Sequence, residues 1–117
     1  EIVIRLSNEP VNLSMDHISQ MAWATIKMVT GAIDAFVARH LDRARAVIAC
    51  DDIVDDLFVQ VRNDLVAMLR DNTANGAQAI DLIMVAKYFE RIGDHATNIA
   101  EWVVFSITGE HGNERII

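Results

Sequence analysis

Apolar residues recur every three or four positions along most of the chain, and three such runs predict three long helices. The first run is Met15, Ile18, Ala22, Ile26, Val29, Ile33 and Phe36. The second is Val47, Cys50, Val54, Leu57, Val61, Leu65 and Met68. The third is Leu82, Val85, Phe89, Ile92, Ala96, Ile99 and Val103. Asn8-Glu9-Pro10 disfavours helix, because the residue before proline is pushed out of the right-handed region. Ser14 is then placed to cap a helix that starts at Met15, which leaves 1–13 as an extended leader. The first helix runs to Arg39, and His40-Leu41-Asp42 marks a break without Gly or Pro. The second spans 42–70 and ends in a run of turn formers, Asp71-Asn72-Thr73-Ala74-Asn75-Gly76. The third spans 77–107, with Gly109 placed to stop it, and 109–117 forms a tail.

No single helix can bury its own stripe, so the three must share one core. Short connections make neighbours antiparallel. The expected fold is all-α, an up-down-up three-helix bundle over residues 14–108. Composition agrees. A chain of 117 residues suits one compact domain. A hydrophobic share of 52% excludes intrinsic disorder, and five Gly with one Pro are too few turn residues for an all-β fold. The net charge of −7 excludes a basic nucleic-acid footprint and points instead to cations or basic partners. The single cysteine, Cys50, allows no intrachain disulfide and reads as a small buried hydrophobe. Glu1 to Arg5 does not read as a signal peptide, and no stretch approaches ~18 uncharged apolar residues, so no transmembrane helix is expected.

Candidate chemistry lies on the polar faces. Asp51-Asp52-Ile53-Val54-Asp55-Asp56 stacks two carboxylate pairs at i,i+4, Asp51 over Asp55 and Asp52 over Asp56. Like charges at that spacing cost a helix a few tenths of a kcal/mol per pair, about 0.2–0.5. Asp51 and Asp55 flank the apolar stripe, whereas Asp52 and Asp56 point further into solvent. The third helix repeats the spacing with Glu90 and Asp94, followed by Asn98 and Glu101. Against the expected stripe, Glu90 and Asp94 fall nearly opposite the core, with Asn98 at its margin. Gly93, between the two acids, suggests close approach to the backbone. Carboxylates from two helices form a hard-oxygen donor set suited to Mg²⁺, Mn²⁺, Ca²⁺ or iron. A Cys-type zinc site is excluded. Acids outside an amphipathic helix are ordinarily only a solvated face, and that reading stands beside the metal reading.

Other residues carry less. His95 lies near the core edge. His17 and His40 lie near helix ends, where capping or solvation explains them. Met21 and Met28 line a second stripe of packing residues, and Trp23 points away from the main one. There is no Gly-rich phosphate loop and no nucleophile elbow, and no Glu has His three positions later, as a di-iron bundle requires.

Two segments are recognisable. Asp-Asp-Ile-Val-Asp at 51–55 with Leu57-Phe58, and Val85-Ala86-Lys87-Tyr88-Phe89-Glu90-Arg91-Ile92-Gly93-Asp94-His95-Ala96-Thr97-Asn98-Ile99-Ala100-Glu101, closely resemble the PhoU family of phosphate-transport regulators. The resemblance covers 14–108. It implies one of the two tandem three-helix bundles usual in the family, the second by its motifs, with the leader as the linker between halves. It also implies a surface metal centre built on an acid, three residues, then Asp. Asp51 with Asp55 and Glu90 with Asp94 match that pattern, and Asn98 belongs to the same signature. Multinuclear iron is the implied cofactor, with Mn, Mg or Zn as other ions of the set. The implied function is non-enzymatic: negative regulation of phosphate uptake and of the phosphate-starvation response. It would act by linking the ATPase subunit of the phosphate ABC transporter to a sensor histidine kinase. Family members are cytoplasmic, peripheral to the inner membrane and often dimeric. The competing readings are a metal-dependent enzyme on the acidic face and a plain structural bundle.

Overall fold

The computed structural model describes residues 9–109. Four α-helices follow in order: α1 Glu9–Ala38, α2 Leu41–Ala49, α3 Asp51–Asp71 and α4 Gly76–Thr108. A single 3₁₀ turn, Thr73–Asn75, joins α3 to α4. Helices α2 and α3 together form the middle rod of an antiparallel up-down-up bundle, 52 × 24 × 16 Å across its Cα atoms. The expected all-α three-rod fold is thus present.

Boundaries differ from expectation in two places. First, α1 starts at Glu9, so Ser14 is not its cap but a wholly buried residue one turn inside it. Pro10 falls in the first turn, where no intrahelical N–H is needed and its fixed φ suits the helix. The rest of the expected leader, 1–8, and the tail from Glu110 lie outside the described residues. Second, the middle rod is not continuous. Cys50 separates α2 from α3, its N–H bonding Val47 O at 3.0 Å and its carbonyl receiving Ile53 N and Val54 N.

Turn chemistry explains the remaining ends. Arg39 adopts a left-handed φ of 51° after α1, and His40 N bonds back to Ala35 O at 3.0 Å. That is a Schellman-type stop made without glycine. His40 then caps α2, its Nδ1 accepting Arg43 N at 3.2 Å, as expected of a histidine at a helix end. Gly109, at φ 86°, closes α4 with its N–H on Phe105 O.

The core is centred elsewhere than the first and third expected stripes. On α1 the buried line is Ser14, Ile18, Met21, Thr25, Met28, Ala32 and Ala35, so Ile18 alone is shared with the expected line. On α4 it is Ala79, Ala86, Gly93, Ala96, Ala100 and Val103, so Ala96 and Val103 are shared with the expected line, and Leu82 and Phe89 of that line pack half-buried against it. Small residues let these backbones approach, and Met21, Met28 and Met68 fill the space between them. Met15, Ile26, Ile33 and Phe36 on α1, with Val85, Ile92 and Ile99 on α4, are exposed instead. Both helices are apolar on two faces, and a 3,4 period does not say which face is inside. The middle rod has a single apolar face. There the expected Val47, Val54, Leu57, Val61, Leu65 and Met68 are all buried, with Cys50 half-buried beside them.

This double-sidedness has a further effect. Ser14–Ala38 passes the length and composition test for a membrane-crossing helix, a test that the core helix of a bundle also passes, although Asp16, Lys27 and Asp34 leave no uncharged stretch of that length. One side of the same segment is the bundle core, and its second apolar side raises its hydropathy.

Candidate metal centre

The break at Cys50 decides where the acids sit. It makes Asp51 and Asp52 the first turn of α3, where the helix N-terminus favours negative charge. Asp55 follows one turn later. Asp51, Asp52 and Asp55 can each offer a carboxylate oxygen within 4.8 Å of the others'.

Helix α4 supplies the opposing acids. Its core line runs through Ala86, Gly93 and Ala100, which turns Glu90 and Asp94 toward α3 and not away from the core. Glu90 is correspondingly half-buried, its side chain 17% exposed. The four carboxylates feel one another across the two helices. The Asp51 carboxyl is raised above the ordinary Asp value of 3.8, first by burial and then by the charge of Asp94. Asp52 and Glu90 push the same way, and a hydrogen bond from Thr97 opposes them. Asp55 is raised by burial first, then by Asp51, Glu90, Asp94 and Asp52.

The structure therefore brings Asp51 and Asp55 within reach of one another together with Asp52, while Glu90 and Asp94 act on them electrostatically from α4 without joining that close group. Asn98 is exposed one turn beyond Asp94 on α4 and lies at the margin. Gly93 does not open the backbone to a ligand: it is buried against Thr25, Met28 and Val54. His95 is exposed and not at the core edge.

Two contributors escape the acid-pair pattern, and a third, Asp52, belongs to it but not to the expected ligands. Thr97 Oγ1 lies 3.3 Å from Asp51 Oδ1 and 3.0 Å from Gly93 O, so its hydroxyl tethers α4 to the first acid of α3. Lys87 Nζ pairs with Glu90 Oε1 at 2.7 Å and sits 5.2 Å above the Phe58 ring, bringing one cation to the edge of the cluster. Asp52 joins Asp51 and Asp55 although it is exposed. A signal for Thr97 exists in the sequence. Glu90, Asp94, Thr97 and Glu101 form a polar 4-3-4 series on one helix flank.

The donor set consists of hard oxygens on two rigid helices, with more negative charge than Lys87 can balance. Such a set fits a hard multivalent cation and gives a soft metal no thiolate.

Three long antiparallel rods with acids on two of them define the class, an all-helical bundle domain. Comparison places the chain within it: residues 18–103 match the PhoU domain, and the chain belongs to that family. Among curated relatives, it is 34% identical over 106 residues to the phosphate-specific transport system accessory protein PhoU homolog of Clostridium acetobutylicum. That alignment covers 91% of this chain and 48% of the relative. It is 32% identical over 110 residues to PhoU homolog 1 of Thermotoga maritima, covering 93% and 47%. It is 39% identical over 89 residues to the homolog of Zymomonas mobilis, covering 76% and 38%. The chain thus spans about half the length, or less, of these relatives. No solved structure gave a significant match.

Proposed function

We propose that this chain is a regulatory module of phosphate uptake and of the phosphate-starvation response, working through protein contacts and not through turnover of a substrate. The relatives it matches are named accessory proteins of a phosphate-specific transport system, which supports a role beside a transporter. On this reading the partners are the ATPase subunit of the phosphate ABC transporter and a sensor histidine kinase, and the module restrains both when phosphate is plentiful. It works in the cytoplasm, held at the inner membrane through those partners, and pairs with a second copy.

The observation that carries the metal side of this reading is that Asp51, Asp52 and Asp55 can each present an oxygen within 4.8 Å of the others', with the charges of Glu90 and Asp94 bearing on them from α4. Asp51, Asp55, Glu90 and Asp94 would hold the ion, with Asn98 at the margin and Asp52 within reach. Multinuclear iron heads the set of candidate ions, followed by Mn, Mg and carboxylate-bound Zn. A bound cation would neutralise the cluster and fix the relative position of α3 and α4. Thr97 and Lys87 do part of that work as protein groups. Thr97 orients Asp51, and Lys87 holds Glu90 in one rotamer.

The test combines metal content with partner capture. Protein purified without chelator should carry Fe or Mn. The Asp51→Asn, Asp55→Asn, Glu90→Gln, Asp94→Asn variant should carry none while keeping its helical content. Capture of the transporter ATPase and the kinase should follow metal loading. Metal-free wild-type protein that captures neither partner with or without added ion would sink the proposal.

A further inference from the structure

Among the described residues, no basic side chain pairs with Asp51, Asp52, Asp55 or Asp94, and Arg91 lies 6.0 Å from the Tyr88 ring instead. Lys87 is the exception on this face. Its Nζ lies 2.7 Å from Glu90 Oε1 and 5.2 Å from the centre of the Phe58 ring, so an ammonium carried by α4 rests on α3. Phe58 follows Asp55 by about one helical turn, which puts this charge at the rim of the acids. The two ends of the ion pair differ in freedom. The Glu90 side chain is 17% exposed and that of Lys87 57%, so the lysine can swing into water while the acid stays between the rods. Glu90 also stands outside the close group of Asp51, Asp52 and Asp55, although its charge bears on Asp51 and Asp55.

We infer that Lys87 is a latch on the metal centre: its ammonium occupies Glu90 in the empty protein, and a cation gains that carboxylate only by displacing it. The inference rests on the metal reading of these acids and adds how entry of the ion is controlled. Both Lys87 and an incoming ion are positive, so they compete for one carboxylate. A partly exposed ion pair and a cation–π contact are each weak, together worth about tenfold in an equilibrium constant. That is little enough for an ion to overcome and large enough to measure. A divalent ion carries twice the charge of the ammonium and finds Asp51, Asp52 and Asp55 already gathered on α3. A monovalent ion offers Glu90 no more charge than Lys87 already supplies, so the latch discriminates by charge. The metal-free chain in turn keeps one of its acids neutralised without an ion.

A double-mutant cycle read by calorimetric titration of Mn²⁺ into metal-free protein tests the latch. The titrations are run at about 0.15 M salt, where charges further apart than about 8 Å are largely screened. Lys87→Met keeps the stem over Phe58 and removes the charge, and it should tighten Mn²⁺ binding about tenfold. In a Glu90→Gln background the same change should alter affinity by less than about twofold, because no carboxylate remains to be released. Circular dichroism checks that each variant stays helical, and Lys87→Gln replaces Lys87→Met if it does not. Equal tightening in both backgrounds makes Lys87 a remote positive charge and overturns the latch alone, as does a Lys87→Met protein that binds like wild type. Wild type and Lys87→Met that both take up no Mn²⁺ overturn the metal reading, and the latch with it.

Discussion

His17 on α1 and Asp64 on α3 are joined side chain to side chain, Nδ1 to Oδ2 at 2.6 Å, with only 17% and 10% of the side chains exposed. They are separated by 47 residues in the chain. The pair ties the start of the first rod to the end of the middle one, where the core consists of Met21, Leu65 and Met68. Removing one partner leaves a half-buried polar group without its bond, which costs about 1–3 kcal/mol. Asp64→Ala should therefore lower stability by that amount in urea unfolding. The double change with His17→Leu should recover part of it. A double variant no better than Asp64→Ala would show that the bond itself carries little.

The two internal glycines should respond in opposite directions to alanine. At Gly93 a new Cβ meets Met28 Sδ, Thr25 Cγ2 and Val54 Cγ1 at 3.6–3.7 Å, ordinary contact distances. Gly93→Ala should then gain most of the helix-propensity difference, about 1 kcal/mol. At Gly31 the new Cβ falls 2.8 Å from Val47 Cγ2, on a short, branched side chain that is buried. Overpacking of about 1–3 kcal/mol outweighs the propensity gain, so Gly31→Ala should lower the melting temperature. A stabilised Gly31→Ala would mean that α2 can move away from α1 at little cost.

How far the sequence alone reaches is visible in these residues. The middle rod reads correctly because its back is studded with Asp, Arg and Gln, which leaves one face to bury. The rods on either side mislead because Ile26 and Ile33, like Ile92 and Ile99, obey the helical period as well as the true core does. Size separates the two faces: the buried line of α4 is Ala and Gly apart from Val103, and the exposed line is Val85, Ile92 and Ile99. The same rotation hid half of the acidic site. Asp51 and Asp55 are placed correctly against the stripe of the middle rod, but Glu90 and Asp94 turn toward α3 once the core line shifts to Gly93, Glu90 half-buried and Asp94 still exposed. His17–Asp64 leaves no trace in local spacing, since only the antiparallel register of two rods brings the residues together.

Arg39 holds a left-handed backbone that an L side chain rarely adopts, at φ 51°. Its guanidinium contact with Ser106 O, 3.3 Å, is exposed and weak compensation. Arg39→Gly should stabilise the protein by about 1 kcal/mol, the typical penalty of that conformation. Thermal unfolding measures it, and a loss of stability would assign the larger role to the Ser106 contact.

Acid should help the metal-free protein at one place. Asp51 and Asp55 have folded-state values above the 3.8 of the free side chain. Between 3.8 and those raised values the folded chain binds more protons than the unfolded one. Their contribution to stability therefore falls as pH rises through that window and stays low above it. Asp51→Asn and Asp55→Asn should remove that slope and make the metal-free protein more stable at neutral pH, by a few tenths of a kcal/mol per relieved i,i+4 contact, about 0.2–0.5. Denaturant titrations from pH 4 to 7, wild type minus variant, isolate the effect. The same variants should lose any thermal shift on addition of Mn²⁺. Variants less stable than wild type at neutral pH would make the two acids structural.

The Cα atoms of the bundle span 16 Å through its shortest axis, so each rod keeps one side on the core and another on the surface. Around that shared core the surface differs in kind from side to side: one greasy, one anionic. Solubility then hangs on the anionic side alone. Buffers near the isoelectric point of 4.8 should clot the protein even where its helices are intact, because discharging that side leaves nothing to hold the greasy ones apart.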